Sequence, residues 1–161
     1  MLIPESLGGL GLTPVDFVLL AEACGEVALP EPLVESVMVT TPSLVDILDQ
    51  GLGNADVQKV IDGVLAGEVR VALSHAINPC MNYADSADWF LLPEGDGVYL
   101  LPKEAVTLEA KTSVDLSRRL FSASFAASDA CLVADGDAGA NLQRAMLNLS
   151  LIHISEPTRP Y

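Results

Sequence analysis

The sequence predicts an α+β fold in three parts: an N-terminal helical domain, a small antiparallel β domain, and the start of a C-terminal helical domain. Apolar residues recur at helical spacing up to Glu68, and from Val69 they alternate with polar residues as in strands. Helical spacing returns at Ala138. We therefore expect domains at residues 1–68 and 69–136, with the next helical domain beginning at residues 137–148.

Composition and charge limit the possible functions. Half of the 161 residues are hydrophobic, enough for a packed core. Eight Lys and Arg stand against 22 Asp and Glu, a net charge of -14, which argues against nucleic acid or an anionic membrane as partner because clustered basic residues bind both. No apolar run approaches the ~20 residues that a membrane-spanning helix needs, and the N-terminus lacks a secretory pattern. We expect a cytoplasmic protein.

The cysteines predict no metal site. Cys24, Cys80 and Cys131 are odd in number and lie outside any C-x-x-C pair, so neither a disulfide framework nor a zinc site is indicated. His75 and Cys80 flank Pro79 but have no further ligands nearby. We interpret all three cysteines as reduced core thiols.

The first helix is predicted from Pro14 to Glu26. Thr13 is a typical cap, and Pro14 occupies the first helical position, which tolerates proline. Most of its residues are apolar, which predicts a helix covered on most sides. These apolar residues are Val15, Phe17, Val18, Leu19, Leu20, Ala21, Ala23 and Cys24.

Two further helical stretches follow. Pro32 opens a helix that we expect Pro42 to interrupt, with Ser43 capping a short turn after it. Asn54 is a good cap for a clearly amphipathic helix, and Gly67 lies just past its end.

The β domain is predicted as five or six short, antiparallel strands in a small sandwich or barrel. A five-residue loop from Pro93 to Gly97 joins two apolar runs, and its Asp-Gly step indicates a hairpin. The expected strands are 69–73, 88–92, 98–101, 106–111, 121–125 and 130–134.

We expect the C-terminal end of the sequence to be an artefact rather than part of the natural protein. Leu149 to Arg159 reads L-S-L-I-H-I-S-E-P-T-R, which resembles the in-frame translation of a transposase adapter used in sequencing libraries. A genuine short tail carrying His153 is the alternative. We therefore treat Leu149–Tyr161 as an artefactual tail and expect this chain to be a fragment of a natural chain that was cut near Asn148.

Three motifs resemble the acyl-CoA dehydrogenase family. P-E-S-L-G-G-L-G-L from Pro4, followed by a helix, is similar to the family's N-terminal helical domain. L-A-G-E leading into V-R-V-A-L-S is similar to its step into the middle β domain. V-D-L-S-R-R-L-F from Val114 is similar to its Asp-x-x-Arg-Arg segment. We interpret Arg118 and Arg119 as a turn held by an ion pair to Asp115 rather than as ligands.

The resemblance implies α,β-dehydrogenation of an acyl-CoA thioester, in which a carboxylate takes the α proton and FAD accepts a hydride. It also implies a homo- or hetero-oligomer when full length. The family's base is usually a glutamate of the C-terminal helical domain, and nothing in Met1–Asn148 matches it. We therefore name no catalytic residue.

The flavin segment departs from the family. Members follow the first strand with A-L-T-E-P, whereas this chain has Ala72-Leu73-Ser74-His75, and twelve residues then separate His75 from Asp88. Ser74 is the candidate cofactor-binding residue, because its hydroxyl can bond a flavin ring. A hydroxyl bonded to neighbouring backbone is the alternative. Trp89 is interpreted as a core residue.

Three hypotheses therefore stay open. The chain is part of a flavin-dependent acyl-CoA dehydrogenase, or part of a partner subunit that binds no FAD in a heteromeric dehydrogenase. The third hypothesis is an unrelated α+β interaction module.

Overall fold

The computed structural model describes residues 2–75, 77–115 and 117–151. Residues 152–161, most of the expected artefactual tail, lie outside this part of the chain. The described helices are α1 (Pro14–Glu26), α2 (Thr41–Asp49), α3 (Ala55–Ala66) and α4 (Gly136–Leu151). A π-helical segment, Glu35–Thr40, runs directly into α2. The predicted α+β class is confirmed, whereas the division into domains stays a prediction.

The helix caps follow from local chemistry. The carboxylate of Asp16 accepts hydrogen bonds from the backbone N–H (2.8 Å) and the hydroxyl (2.7 Å) of Thr13 at the start of α1. Asn54 accepts from the N–H groups of Asp56 and Val57 at the start of α3. Gly67 ends α3 in the left-handed conformation that glycine adopts readily. The predicted bounds of both helices are close to those observed.

The expected break at Pro42 is wrong. Pro42 lies in the first turn of α2, where a missing N–H costs little because the preceding turn is π-helical. Thr40 and Thr41 donate their hydroxyls to the carbonyls of Glu35 (3.2 Å) and Ser36 (2.7 Å) five residues back. Ser43 is a buried interior residue rather than a cap, and its hydroxyl donates to Val39 O at 2.8 Å.

Seven strands form two sheets in the described part of the chain. The order is β1-β3-β4-β7 in one sheet and β2-β6-β5 in the other. The strands are β1 (Val71–Leu73), β2 (Met81–Asn82), β3 (Trp89–Glu94), β4 (Gly97–Pro102), β5 (Val106–Lys111), β6 (Leu120–Phe125) and β7 (Leu132–Ala134).

Two features of the sheets correct the prediction. β1 and β3 pair in parallel, Val71 opposite Trp89, because the chain leaves this sheet after β1 and enters the other sheet at β2 before it returns. The β3–β4 loop is a two-residue turn, Gly95-Asp96, since Pro93 and Glu94 already belong to β3. β2 was not predicted because a two-residue strand shows no alternation.

The four-stranded sheet lies between the helices and the second sheet. On one face, Leu91 and Leu100 pack with residues of the helices such as Ile61 and Met146. On the other face, Phe90 packs with residues that include Phe121 of the second sheet. Neighbouring residues of β3 therefore enter different core clusters, as the pleat of a strand requires.

α4 is held against the β3–β4 turn. The side-chain amide of Gln143 donates to the carbonyls of Gly95 (3.0 Å) and Gly97 (3.1 Å). Gly139 approaches so closely that a Cβ atom there would overlap the carbonyl oxygen of Asp96. The glycine is therefore required by the contact between helix and turn.

The expected burial of α1 is wrong for the described residues. Only Phe17 of this helix is buried. Val15, Val18 and Leu19 are exposed at 76%, 58% and 74%. No described element covers this apolar face.

Candidate functional site

A cleft of about 310 Å³ lies between the π-helical segment and the strands β1 and β2. Its volume falls at the lower end of the range for small-molecule sites. Apolar groups form much of its lining: Pro32, Leu33, Val71, Ala72, Leu73, Met81 and Ala87. A wider cleft of about 840 Å³ adjoins it and shares Glu31, Pro32, Glu35 and Asn82.

A hydrogen bond joins the two walls of the first cleft. The side-chain amide of Asn82 on β2 donates to Oε1 of Glu35 in the π-helical segment at 3.0 Å. The amide oxygen of Asn82 is buried and accepts no hydrogen bond from the residues that the structure describes. Because π-helical turns are often found at functional sites, the position of this segment along the cleft supports a binding role.

The end of the cleft is formed by a turn built around Tyr83. Tyr83 has a φ of 53°, a left-handed conformation unusual for a large residue. Its N–H donates to Arg119 O at 2.8 Å and its hydroxyl donates to Ser117 O at 2.9 Å. These two bonds fix the turn against the segment that precedes β6.

The ion pair expected between the arginine segment and Asp115 is instead made by Asp85. Nη1 of Arg119 lies 2.6 Å from Oδ2 of Asp85, and the guanidinium stacks 4.7 Å from the centre of the Tyr83 ring. Arg119 lines the cleft. The structure thus places this arginine at a candidate binding site, which the sequence did not predict.

Asp115 organises its own turn through hydrogen bonds to a residue two positions further along the chain. Its carboxylate accepts hydrogen bonds from the hydroxyl (2.7 Å) and the N–H (2.9 Å) of Ser117. These bonds, the side-chain one first, lower the pKa of Asp115, and the charge of Arg118 adds to the effect. The turn is therefore held by Ser117 and by the Arg118 N–H, which donates to Asp115 O at 3.2 Å.

Ser74 follows β1 and lies outside both clefts. Its N–H donates to Leu91 O at 3.3 Å, while its hydroxyl makes no hydrogen bond with any residue that the structure describes. The next residue, His75, accepts at Nδ1 from the N–H of Asn78 at 3.2 Å. Burial lowers the pKa of His75, which favours its neutral form.

The cavity lined by His75, the residue after Ser74, does not fit FAD. A flavin dinucleotide needs a long pocket and donors or cations for its pyrophosphate. The cavity between His75 and α4 measures about 180 Å³ and has one cationic lining residue, Arg144. This volume is below the usual range for cofactor sites, so the assignment of Ser74 to a flavin stays a prediction.

Two acids, Glu31 and Glu35, line both clefts. Burial, with the nearby charge of Asp49, raises the pKa of Asp46, but Asp46 lies on α2 away from the clefts. Among the described residues, no group of three or more His, Cys, Asp or Glu is placed to hold a metal. The three cysteines are free, as expected for reduced thiols, but each is only partly buried. Of the three, Cys131 packs against a core cluster.

Two comparisons by sequence find no match: neither a protein-family model nor a curated protein resembles the chain. Within the described residues, no helix has the length and apolar character needed to cross a membrane.

Solved structures do match. A variant of the Tcur3481-Tcur3483 steroid ACAD, an acyl-CoA dehydrogenase, aligns over 94% of this chain and 49% of its own, with a TM-score of 0.67 and 17% identity. A chain of the ChsE4-ChsE5 complex from Mycobacterium tuberculosis aligns over 92% of this chain and 48% of its own, with a TM-score of 0.66 and 13% identity.

The chain spans about half the length of these solved chains. At 13% and 17% identity these matches show the fold alone. The resemblance that the sequence motifs indicate is therefore confirmed for the fold. The protein therefore has the fold of about half of an acyl-CoA dehydrogenase chain.

Proposed function

We propose that this chain is part of an acyl-CoA dehydrogenase subunit and that its cleft binds the acyl group of a CoA thioester in the cytoplasm. The observation that carries the proposal is the alignment of nearly the whole chain with a steroid acyl-CoA dehydrogenase. The cleft supports it, since an apolar wall from β1 and β2 suits an aliphatic or alicyclic group. The reaction would be the α,β-dehydrogenation of that thioester.

The described residues supply only part of this chemistry. FAD, when bound, would accept the hydride, and the cavity of about 180 Å³ beside His75 is too small to hold it. We assign the role of proton acceptor to no residue of this chain. In this proposal the residues of the cleft bind and orient the acyl group, and they exclude water from it.

A second form of the proposal is that the subunit binds no FAD and completes a heteromeric enzyme. The short connection between β1 and β2 favours this form, because His75 and Asn78 pair directly and leave little room for a flavin-binding segment. Both solved neighbours have names that join two proteins, which is compatible with hetero-oligomers.

Purification of the full-length protein, alone and with a candidate partner subunit, tests both forms. Bound flavin in the protein alone supports the first form. A colourless protein that gains flavin and dehydrogenase activity only with a partner supports the second. The assay should include a steroid CoA thioester and a straight-chain acyl-CoA. A protein that gains neither flavin nor acyl-CoA binding with any partner would contradict the proposal and favour an interaction module.

Ser74→Ala distinguishes the two forms further. If Ser74 bonds the flavin ring, the variant should lose about tenfold in flavin affinity, the scale of one hydrogen bond. Ser124→Ala is the matched control, because Ser124 is an exposed serine on β6. Equal flavin affinity in the two variants would remove Ser74 from the cofactor site.

A further inference from the structure

Two arginines hold the two ends of one segment of the cleft wall, residues 83–88. The N–H of Arg70 donates to Oδ2 of Asp88 at 2.8 Å, and its carbonyl accepts from the Asp88 N–H at 2.9 Å. At the other end of the segment, Arg119 is bonded to Tyr83 and Asp85. Arg70 and Arg119 both line the cleft, together with part of the segment between them.

The charges of these arginines are only partly compensated. Arg119 uses one nitrogen, Nη1, for its single ion pair, and its side chain remains 51% exposed. Arg70 makes no ion pair with any residue that the structure describes.

The acids of the cleft come from the opposite wall. Glu31 and Glu35 belong to the helical side, and Glu35 already accepts the amide of Asn82. The arginines belong to the strand side. The cleft therefore presents apolar surface with two arginines contributed by its strand side and two glutamates contributed by its helical side.

We infer that this cleft takes an apolar ligand carrying an anionic group, which Arg70 and Arg119 bind. The inference rests on the proposed function for the nature of the apolar part, an acyl group, and for CoA as one source of the anion. A guanidinium binds carboxylates and phosphates through paired N–H donors, and nearby apolar surface strengthens such contacts. The anion is either a carboxylate on the apolar ligand or a phosphate of CoA, and both have the chemistry that the arginines recognise.

Calorimetric titration of the full-length protein tests the inference with three probes: decanoate, decanoyl-CoA and neutral 1-decanol. Arg70→Gln is the main variant, because the Arg70 side chain has no ion pair to lose on substitution. Lys111→Gln is the matched control, since Lys111 lies on β5 outside both clefts and pairs with Glu109. Arg119→Lys is a second variant that keeps the charge but loses the paired geometry.

We expect Arg70→Gln to weaken binding of an anionic probe about tenfold and to leave 1-decanol unaffected. Arg119→Lys should weaken the same probe by less. Weaker decanoate binding identifies a carboxylate as the anion. Weaker decanoyl-CoA binding with unchanged decanoate binding identifies a phosphate of CoA.

Two results would overturn the inference. If Arg70→Gln binds both anionic probes as tightly as Lys111→Gln does, Arg70 has no role in anion binding. If 1-decanol binds as tightly as decanoate and decanoyl-CoA, the cleft does not select for charge, but the proposed acyl site survives. Binding of none of the three probes would overturn both the inference and the acyl site.

Discussion

Nη1 of Arg119 lies 2.6 Å from Oδ2 of Asp85 and so joins the segment that precedes β6 to the turn at the end of the cleft. The two residues are 34 positions apart in the sequence. The same turn receives Lys103, whose ammonium donates to Asp85 O at 2.7 Å. Asp85 is therefore the residue on which two basic side chains converge at this end of the cleft.

Asp85→Asn should lower the free energy of unfolding by about 0.5–1 kcal/mol, because the ion pair is partly exposed and solvent screens it. Chemical denaturation measures the change. Glu109→Gln is the control, since its pair with Lys111 is more exposed on the Glu109 side and should contribute almost nothing. A loss in Asp85→Asn no larger than in the control would show that the pair does not stabilise the turn.

Gly139→Ala should lower stability by about 1–3 kcal/mol, the usual cost of overpacking. The added methyl group would overlap the Asp96 carbonyl, so α4 must move away from the β3–β4 turn and weaken the Gln143 hydrogen bonds. Gly25→Ala is the control: a Cβ atom at Gly25 meets open space, and alanine favours helix. Thermal melting of both variants tests the contact, and equal melting temperatures would argue against it.

The pKa of His75 predicts a loss of stability in mild acid. Burial lowers this pKa in the folded protein below the ordinary value of 6.5, so the unfolded chain binds the proton first. The contribution of neutral His75 to the free energy of unfolding is therefore fully present above pH 6.5. It decreases as the pH falls toward the pKa of His75 in the folded protein. Melting temperatures should fall over this window in the wild type and less in His75→Gln. Parallel curves for the two proteins would contradict the prediction.

The sequence predicted the features that depend on neighbours in the chain. Thr13, Asn54 and Gly67 cap or end their helices through bonds within a few residues, so capping chemistry and helical spacing are sufficient to locate them. The β3–β4 hairpin is local in the same way. The Gly-Asp turn differs from the expected loop only because Pro93 and Glu94 extend the strand.

Features that depend on distant residues were missed. The parallel pairing of β1 with β3 is set by β2, which enters another sheet, and nothing in the β1 sequence indicates this. The cleft combines the π-helical segment with two strands and the turn before β6, so its residues share no motif. Arg119 was singled out only by resemblance, and its partner Asp85 could not be predicted from spacing. The apolar content of α1 indicated that the helix packs against other residues, but it did not indicate which residues those are.

Leu19→Glu should reduce self-association of the chain. Val15, Val18 and Leu19 form an exposed apolar face on α1, and exposed patches of this kind drive association. Sedimentation velocity and binding of a hydrophobic dye measure the effect on residues 1–161. Asn141→Glu is the matched control, because it adds the same charge at an exposed position of α4 and leaves the apolar face intact. We expect the wild type and Asn141→Glu to associate and to bind the dye, and Leu19→Glu to do so less. A monomeric wild type without dye binding would show that α1 is covered in solution.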